Sequence, residues 1–308
     1  MKLETKKDNT KQNDRYLSLY EVAKAKSWNC STDIAWERES ERPTFPFEID
    51  TNPLRGFEEY ENLSTEQKAQ HCWLAFGVEL SDILLGEQAA LLISAQLIEF
   101  SPSTQAKLFL SSQVYEEARH VDFFSRYISQ YIGNISAPSP TLKNLVDNCL
   151  SSSNWFKKYL TCHALIESLA MAKFQQLRKH STHTILSEAM SYILRDEARH
   201  VGFGTEMLKE QVASMSKKEQ LKIGNYLIDS ALSLGRNSDW AARVARTLHW
   251  HEHNFRLHTY KHQRQQQLLG QLSIKHLALT MRRIGLWDKS FETKIQCLAT
   301  QQNEQTRI

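Results

Sequence analysis

The tetrapeptide Glu-Ala-Arg-His occurs twice in this chain, at Glu117–His120 and at Glu197–His200. An acid precedes each copy (Glu116, Asp196) and a valine follows it (Val121, Val201). A lone glutamate stands upstream of each copy in an otherwise apolar helical pattern, Glu87 before the first and Glu167 before the second. Glu87 to Glu167, Glu117 to Glu197 and His120 to His200 share one offset of about eighty positions, so the chain divides into two similar helix pairs. Residues one and two turns from each glutamate are mostly apolar: Leu80, Leu84, Ala90 and Leu91 around Glu87; Leu110, Val114, Val121 and Phe124 around Glu117; Leu160, Ala164, Ala170 and Phe174 around Glu167; Met190, Ile193, Val201 and Gly204 around Glu197. All four carboxylates are therefore predicted to face a core.

The rest of the pattern is helical. Glycine and proline number only 10 and 6 in 308 residues, and no alternating strand pattern interrupts the Leu-, Ala-, Gln- and Glu-rich stretches. The expected bundle helices run over 65–100, 104–132, 154–179 and 184–214, with a short helix over 17–26 and a possible one over 141–150. Short links join the first to the second and the third to the fourth, so each pair is an antiparallel hairpin. The link between the hairpins, near 133–154, is long. One long crossover is the ferritin-like arrangement of a four-helix bundle, and the fold class expected is all-α. Residues 1–63 are expected to supply a disordered tail, the short helix and a packing loop bearing Trp28, Trp36, Phe45, Phe47 and Phe57. Residues 64–215 form the bundle, and further helices in 216–308 pack outside it within the same domain.

Four converging buried carboxylates require countercharge. Two divalent cations would balance them and leave His120 and His200 as neutral co-ligands. In a Glu-x-x-His pair both side chains lie on one helix face within a turn, so the carboxylate can bridge two metals while the imidazole binds one. Such a ligand set is that of a two-metal carboxylate centre, and its oxygen-rich character suits iron or manganese. A single Glu-x-x-His is ordinarily a surface ion pair. Two copies, each behind an isolated core glutamate, disfavour that alternative. Asp196 and Glu116 are candidates to orient the histidines through their outer ring nitrogens. His163, four residues before Glu167, is either a ligand or proton relay or a hydrogen-bonded core histidine. Small residues at Ala90, Ser94, Cys162 and Gly204 leave room for a substrate cavity walled by Phe124, Met171 and Phe174, or else for ordinary helix packing.

Bulk properties narrow the setting. A net charge of +3 gives no steering toward nucleic acid. The polar N-terminus lacks the apolar stretch of a secretory leader, and no uninterrupted apolar run approaches the length of a membrane span. Five scattered cysteines without CxxC spacing fit reduced thiols in a cytoplasmic protein. His249, His251 and His253 lack an acid partner, and the basic, glutamine-rich stretch after Lys261 matches a solvated helix face. No phosphate loop or dinucleotide fingerprint is present, so no flavin or nicotinamide site is expected and electrons must come from an external donor.

With these motifs the chain resembles the ferritin-like di-iron carboxylate superfamily, and within it the ribonucleotide reductase small-subunit-like oxidases and oxygenases. The phrases running from Gln113 to Val121 and from Asp196 to Gly204 carry the resemblance. It implies metal ligands Glu87, Glu117, His120, Glu167, Glu197 and His200, a di-iron or iron–manganese cofactor, and dioxygen as co-substrate. A non-haem oxidase or monooxygenase that hydroxylates, N-oxygenates or desaturates a small organic substrate follows, with a ferredoxin-like donor and a homodimer as expected partners. The alternatives are a ferroxidase, a radical-generating subunit or a self-oxidising protein. Three departures bear on these. Phe124 occupies the radical-tyrosine position. Ala90 and Cys162 occupy the positions of a valine–tyrosine crosslink. Ile193 stands where arylamine N-oxygenases place a seventh, histidine ligand.

Overall fold

The computed structural model describes residues 10–295 apart from 40, 102, 134–135, 237–238 and 262–263. The expected disordered tail thus lies largely outside the described residues, as do Cys297 and part of the glutamine-rich stretch. Among the described residues twelve α-helices and no strand are present.

The first, α1 (Thr10–Ala25), begins earlier than the short helix expected at 17. Tertiary contacts extend it. Tyr16 is buried edge-on against Phe203 at 5.0 Å, and the Gln12 amide donates to the Glu206 carbonyl. After a one-turn helix, α2 (Glu58–Glu61), the first bundle helix α3 (Thr65–Phe100) starts at the expected residue. Ser64 caps it through a reciprocal box with Gln67, the Gln67 amide donating to Ser64 Oγ at 3.2 Å and the Ser64 amide to Gln67 Oε1 at 3.0 Å. Ser103 caps α4 (Thr104–Tyr131), which folds back along α3. The crossover contains α5 (Pro140–Leu150), opened by proline in its first turn.

The third bundle helix is not uniform. It comprises α6 (Trp155–Tyr159), a wider π-helical segment over Leu160–Ile166, and α7 (Glu167–His180). The sequence predicts one continuous helix here, since a π turn leaves apolar spacing nearly unchanged. It is followed by α8 (Thr184–Ala213), antiparallel to α7. The outer helices α9 (Lys217–Arg236), α10 (Trp240–Thr247), α11 (Glu252–Lys261) and α12 (Arg264–Arg283) pack around the bundle: α9 on the π segment, α10 on α3, α12 on α7.

Two apolar clusters sandwich the bundle centre. One gathers Phe109, Leu160, Phe203, Leu227 and Met281; the other Trp73, Phe123, Phe124, Tyr127, Phe174 and Ile193. Each fully buried large side chain contributes about 1.5–3 kcal/mol of transfer free energy. One sequence expectation needs correction. By length and composition α3 is long and apolar enough to cross a membrane, the single such helix among the described residues. Its interruptions at Ser94, Gln96 and Glu99 are diluted by the apolar run before them. In the fold it is the bundle's core helix, with Trp73, Phe76, Leu80, Leu84, Ile93 and Leu97 buried.

Candidate metal centre

The four bundle helices bring Glu87 (α3), Glu117 and His120 (α4), Glu167 (α7) and Glu197 and His200 (α8) together, each at most 4% exposed. The ligand atoms form two overlapping groups, Glu87–Glu117–His120–Glu197 and Glu117–Glu167–Glu197–His200, each within 4.8 Å. Glu117 and Glu197 belong to both. The Glu-x-x-His spacing gives each helix one shared carboxylate and one imidazole on the same inward face.

Both histidines turn Nδ1 inward. His120 Nδ1 lies 2.9 Å from Glu87 and 3.3 Å from both Glu117 and Glu197. His200 Nδ1 lies 3.0 Å from Glu117. Their outer nitrogens meet acids from the opposite copy of the motif. His120 Nε2 is 3.3 Å from Asp196, and His200 Nε2 is 2.8 Å from Glu116. The arginines of both tetrapeptides surround these outer acids: Arg119 reaches Asp196 at 3.1 Å, and Arg199 contacts both Asp196 and Glu116. The Trp28 indole donates to Asp196 at 2.8 Å.

The inner atoms are left short of partners. Glu167 Oε2 and Glu197 Oε2 are buried without a hydrogen bond, and Glu117 Oε2 and His200 Nδ1 have only imidazole–carboxylate approaches of 3.3 and 3.0 Å. Buried polar atoms are normally paired, so a cluster of orphans aimed at one volume is what a pair of cations would satisfy. The donor set fits that group. Electrostatics agree. Burial pushes the Glu87 carboxyl up to about 8 against the opposing pull of His120. Burial likewise raises Glu167 well above the ordinary carboxylate range. Burial acts against charge on Glu117 too, but His200 and His120 overcome it and hold Glu117 low. Without metal, the interior holds protons in place of cations.

His163 enters neither of these groups of four; with Cys162 and Glu167 it forms a third buried group whose candidate ligand atoms lie within 4.8 Å of one another. Its Nε2 is 3.1 Å from Gln113 Oε1 and 3.9 Å from Glu167. Burial holds it neutral, down to about 3. Gln113 in turn donates to Glu167 at 2.9 Å and to Glu117 at 3.2 Å. The residues expected to line a cavity divide. Ala90, Ser94, Phe124, Cys162 and Phe174 are buried, and Met171 is half-buried. Phe124 stacks on Phe174 at 5.8 Å, and Cys162 Sγ lies 3.5 Å from Glu167. At Gly204 the expected room is taken: a Cβ there would come 2.2 Å from His163 Cβ, so the imidazole fills that space. Two clefts lie elsewhere, one of about 340 Å³ beside Ile185 at the start of α8 and one of about 260 Å³ among Phe47, Tyr60, Phe76 and Trp240.

The family model described as p-aminobenzoate N-oxygenase AurF matches residues 9–265. The chain belongs to this family. It is an oxygen-dependent dimetal oxidoreductase acting on a small organic substrate. No curated protein matches the chain. Among solved structures it is similar to variants of an R2-like ligand-binding oxidase. One, with a non-activated Mn/Mn cofactor, has a TM-score of 0.56 and 16% identity over 88% of this chain and 93% of that one. Another, with an anaerobically reconstituted Mn/Fe cofactor, has a TM-score of 0.53 and 18% identity over 87% and 92%. At such identity these structures show the ferritin-like fold.

Within the AurF family setting, the residues missed in sequence are Arg119, Arg199, Gln113 and the role of Trp28. The arginines carried a signal, since both recur at the same place in the duplicated motif. Trp28 stood out only as an aromatic packing residue, and nothing local marks it as a partner of Asp196, far along the chain. Ile193, at the position of a seventh histidine, is buried in the apolar cluster with Phe124 and Phe174.

Proposed function

We propose that Glu87, Glu117, His120, Glu167, Glu197 and His200 hold two metal ions, iron with iron or iron with manganese, and that the enzyme N-oxygenates a small aromatic amine. The buried orphan atoms of the two overlapping ligand groups carry the metal assignment. The family match over residues 9–265 supports the amine substrate. When bound, the metals supply the redox chemistry by which dioxygen gives one oxygen atom to the substrate and the other to water.

The protein's own residues supply the rest. Four carboxylates balance the cationic charge, and Glu117 and Glu197 face both positions. Asp196 and Glu116 fix each imidazole by its Nε2, so that Nδ1 stays aimed inward. Arg119 and Arg199 offset the charge of those outer acids. Phe109, Phe203, Phe124 and Phe174 exclude water from the flanks. An external donor such as a ferredoxin with its reductase brings the electrons, and a homodimer forms through the outer helix faces; both belong to this proposal.

Metal-loaded protein given p-aminobenzoate, isotopically labelled dioxygen and a ferredoxin–reductase couple is expected to yield labelled N-oxygenated product by mass spectrometry. Label on a ring carbon moves the reading to hydroxylation. Metal-loaded protein that takes up oxygen and only mineralises iron overturns the oxygenase proposal.

A further inference from the structure

The two halves diverge at two pairs of counterparts. Four residues before Glu117 stands Gln113, and four before Glu197 stands Ile193; four before Glu167 stands His163, and four before Glu87 stands Ile83. Ile83 and Ile193 pack in the same apolar cluster. Gln113 and His163 instead form a buried polar pair, 0% and 1% exposed, beside Glu167.

Metal ligation sets the direction of hydrogen bonding in that pair. Metal ligation needs ionised carboxylates, which only accept hydrogen bonds. The Gln113 amide nitrogen therefore faces the acids and donates to Glu167 at 2.9 Å and Glu117 at 3.2 Å. Its carbonyl then accepts from His163 Nε2–H at 3.1 Å. Both amide hydrogens are committed to ligands, and the histidine fixes which way the amide points. The ring itself is held by the backbone: it sits in the π segment and presses on Gly204, where no side chain would fit. With Nε2 spent on Gln113 and 3.9 Å from Glu167, His163 acts through the amide.

We propose that Gln113, oriented by His163, is a positioning residue that holds Glu167 for the metal position of Glu117, Glu167, Glu197 and His200, and so makes the two metal positions unequal. This rests on the ligand assignment above. Outer partners of metal ligands ordinarily change affinity by about 10–100-fold when removed.

The test uses full-length protein loaded with manganese alone, comparing wild type, Gln113→Leu and His163→Phe. Wild type is expected to hold about two ions per chain and show a spin-coupled pair. Gln113→Leu is expected to keep the thermal stability of the metal-free protein, hold about one ion, and show an uncoupled single-ion signal. His163→Phe keeps ring packing on the π segment; it is expected to hold both ions but release one to a chelator about tenfold faster. A Gln113→Leu protein with both ions coupled and wild-type release rates overturns the proposal, as does a His163→Phe protein with unchanged release. Wild type that binds no metal fails the ligand assignment itself, before any variant is compared.

Discussion

The first hairpin and the second carry the same tetrapeptide, yet they present it differently. On the first side α3 runs unbroken over its 36 residues, through Glu87, whose neighbours are Ile83 and the apolar cluster of Phe124 and Ile193. On the second side the helix widens into a π segment immediately before Glu167, and that segment places His163 against Gly204 and within 3.1 Å of Gln113 on α4, which donates to Glu167. The counterpart of Gly204 is Phe124, a large ring in place of none. Duplication supplies a symmetric set of ligands, and the asymmetry arises one turn away from them. π bulges within α-helices occur frequently at functional sites, and here the bulge shifts the register that aims His163.

The sharpest way to break this comparison is to remove ligands one at a time. Glu117→Ala and Glu197→Ala, which belong to both ligand groups, are expected to abolish binding of both ions, as read by metal analysis of purified protein. Glu87→Ala and Glu167→Ala belong to one group each and are expected to leave about one ion per chain. If Glu167→Ala keeps the wild-type metal content, the second position is not built as described.

Next in size are the outer acids. Asp196 meets His120, Arg119, Arg199 and Trp28, whereas Glu116 meets His200 and the arginines. Asp196→Asn is expected to weaken metal binding about 10–100-fold, and Glu116→Gln to do so at the other histidine. Calorimetric titration of both variants checks this. Equal metal loss from both positions in Asp196→Asn would show that the two histidines are not separately supported.

Much of this arrangement was legible in the sequence, because it depends on spacing alone. The start of α3 at Thr65, the two hairpins and the six inward side chains follow from helical periodicity and from capping by Ser64 and Ser103. Other features depend on contacts between distant segments, and periodicity says nothing about those. Trp28 reaches Asp196 across 168 positions. The onset of α1 at Thr10 depends on Tyr16 finding Phe203. The π segment adds a residue to a turn without breaking the apolar pattern, so Leu160–Ile166 reads as ordinary helix. Gly204 suggested open space, because the residue that fills it lies on another helix.

A smaller effect is set by protons. The Glu87 carboxyl, pushed up to about 8 by burial, is protonated below that pH in the metal-free protein, and Glu167 is raised in the same direction. Metal uptake must displace those protons. As pH falls through about 8, Glu87 takes up its proton and apparent affinity falls by up to about tenfold per pH unit for each proton displaced. Against the effect of burial, the surrounding acids raise His120 and His200 well above the ordinary imidazole range, so proton release on metal addition to a weakly buffered solution at pH 7 measures carboxyl and imidazole protons together. Affinity independent of pH between 6 and 8 would show that the carboxyls are already ionised before metal enters.

The smallest effect tests the backbone that sets the two halves apart, with a control two residues away. Gly202 and Gly204 lie on the same helix, α8. A Cβ at Gly202 meets nothing within 4 Å, as at Gly86 in α3 beside Glu87. Gly202→Ala is therefore expected to stabilise by up to about 1 kcal/mol through helix propensity. Gly204→Ala drives a methyl to 2.2 Å from His163 Cβ, an atom fixed to the π segment's backbone that no rotamer change can move. The segment must shift, at a cost of about 1–3 kcal/mol. Melting curves of the metal-free proteins should therefore move in opposite directions for two identical substitutions two residues apart. If Gly204→Ala melts as high as Gly202→Ala, the π segment yields easily and cannot be what holds His163 and Gln113 in place.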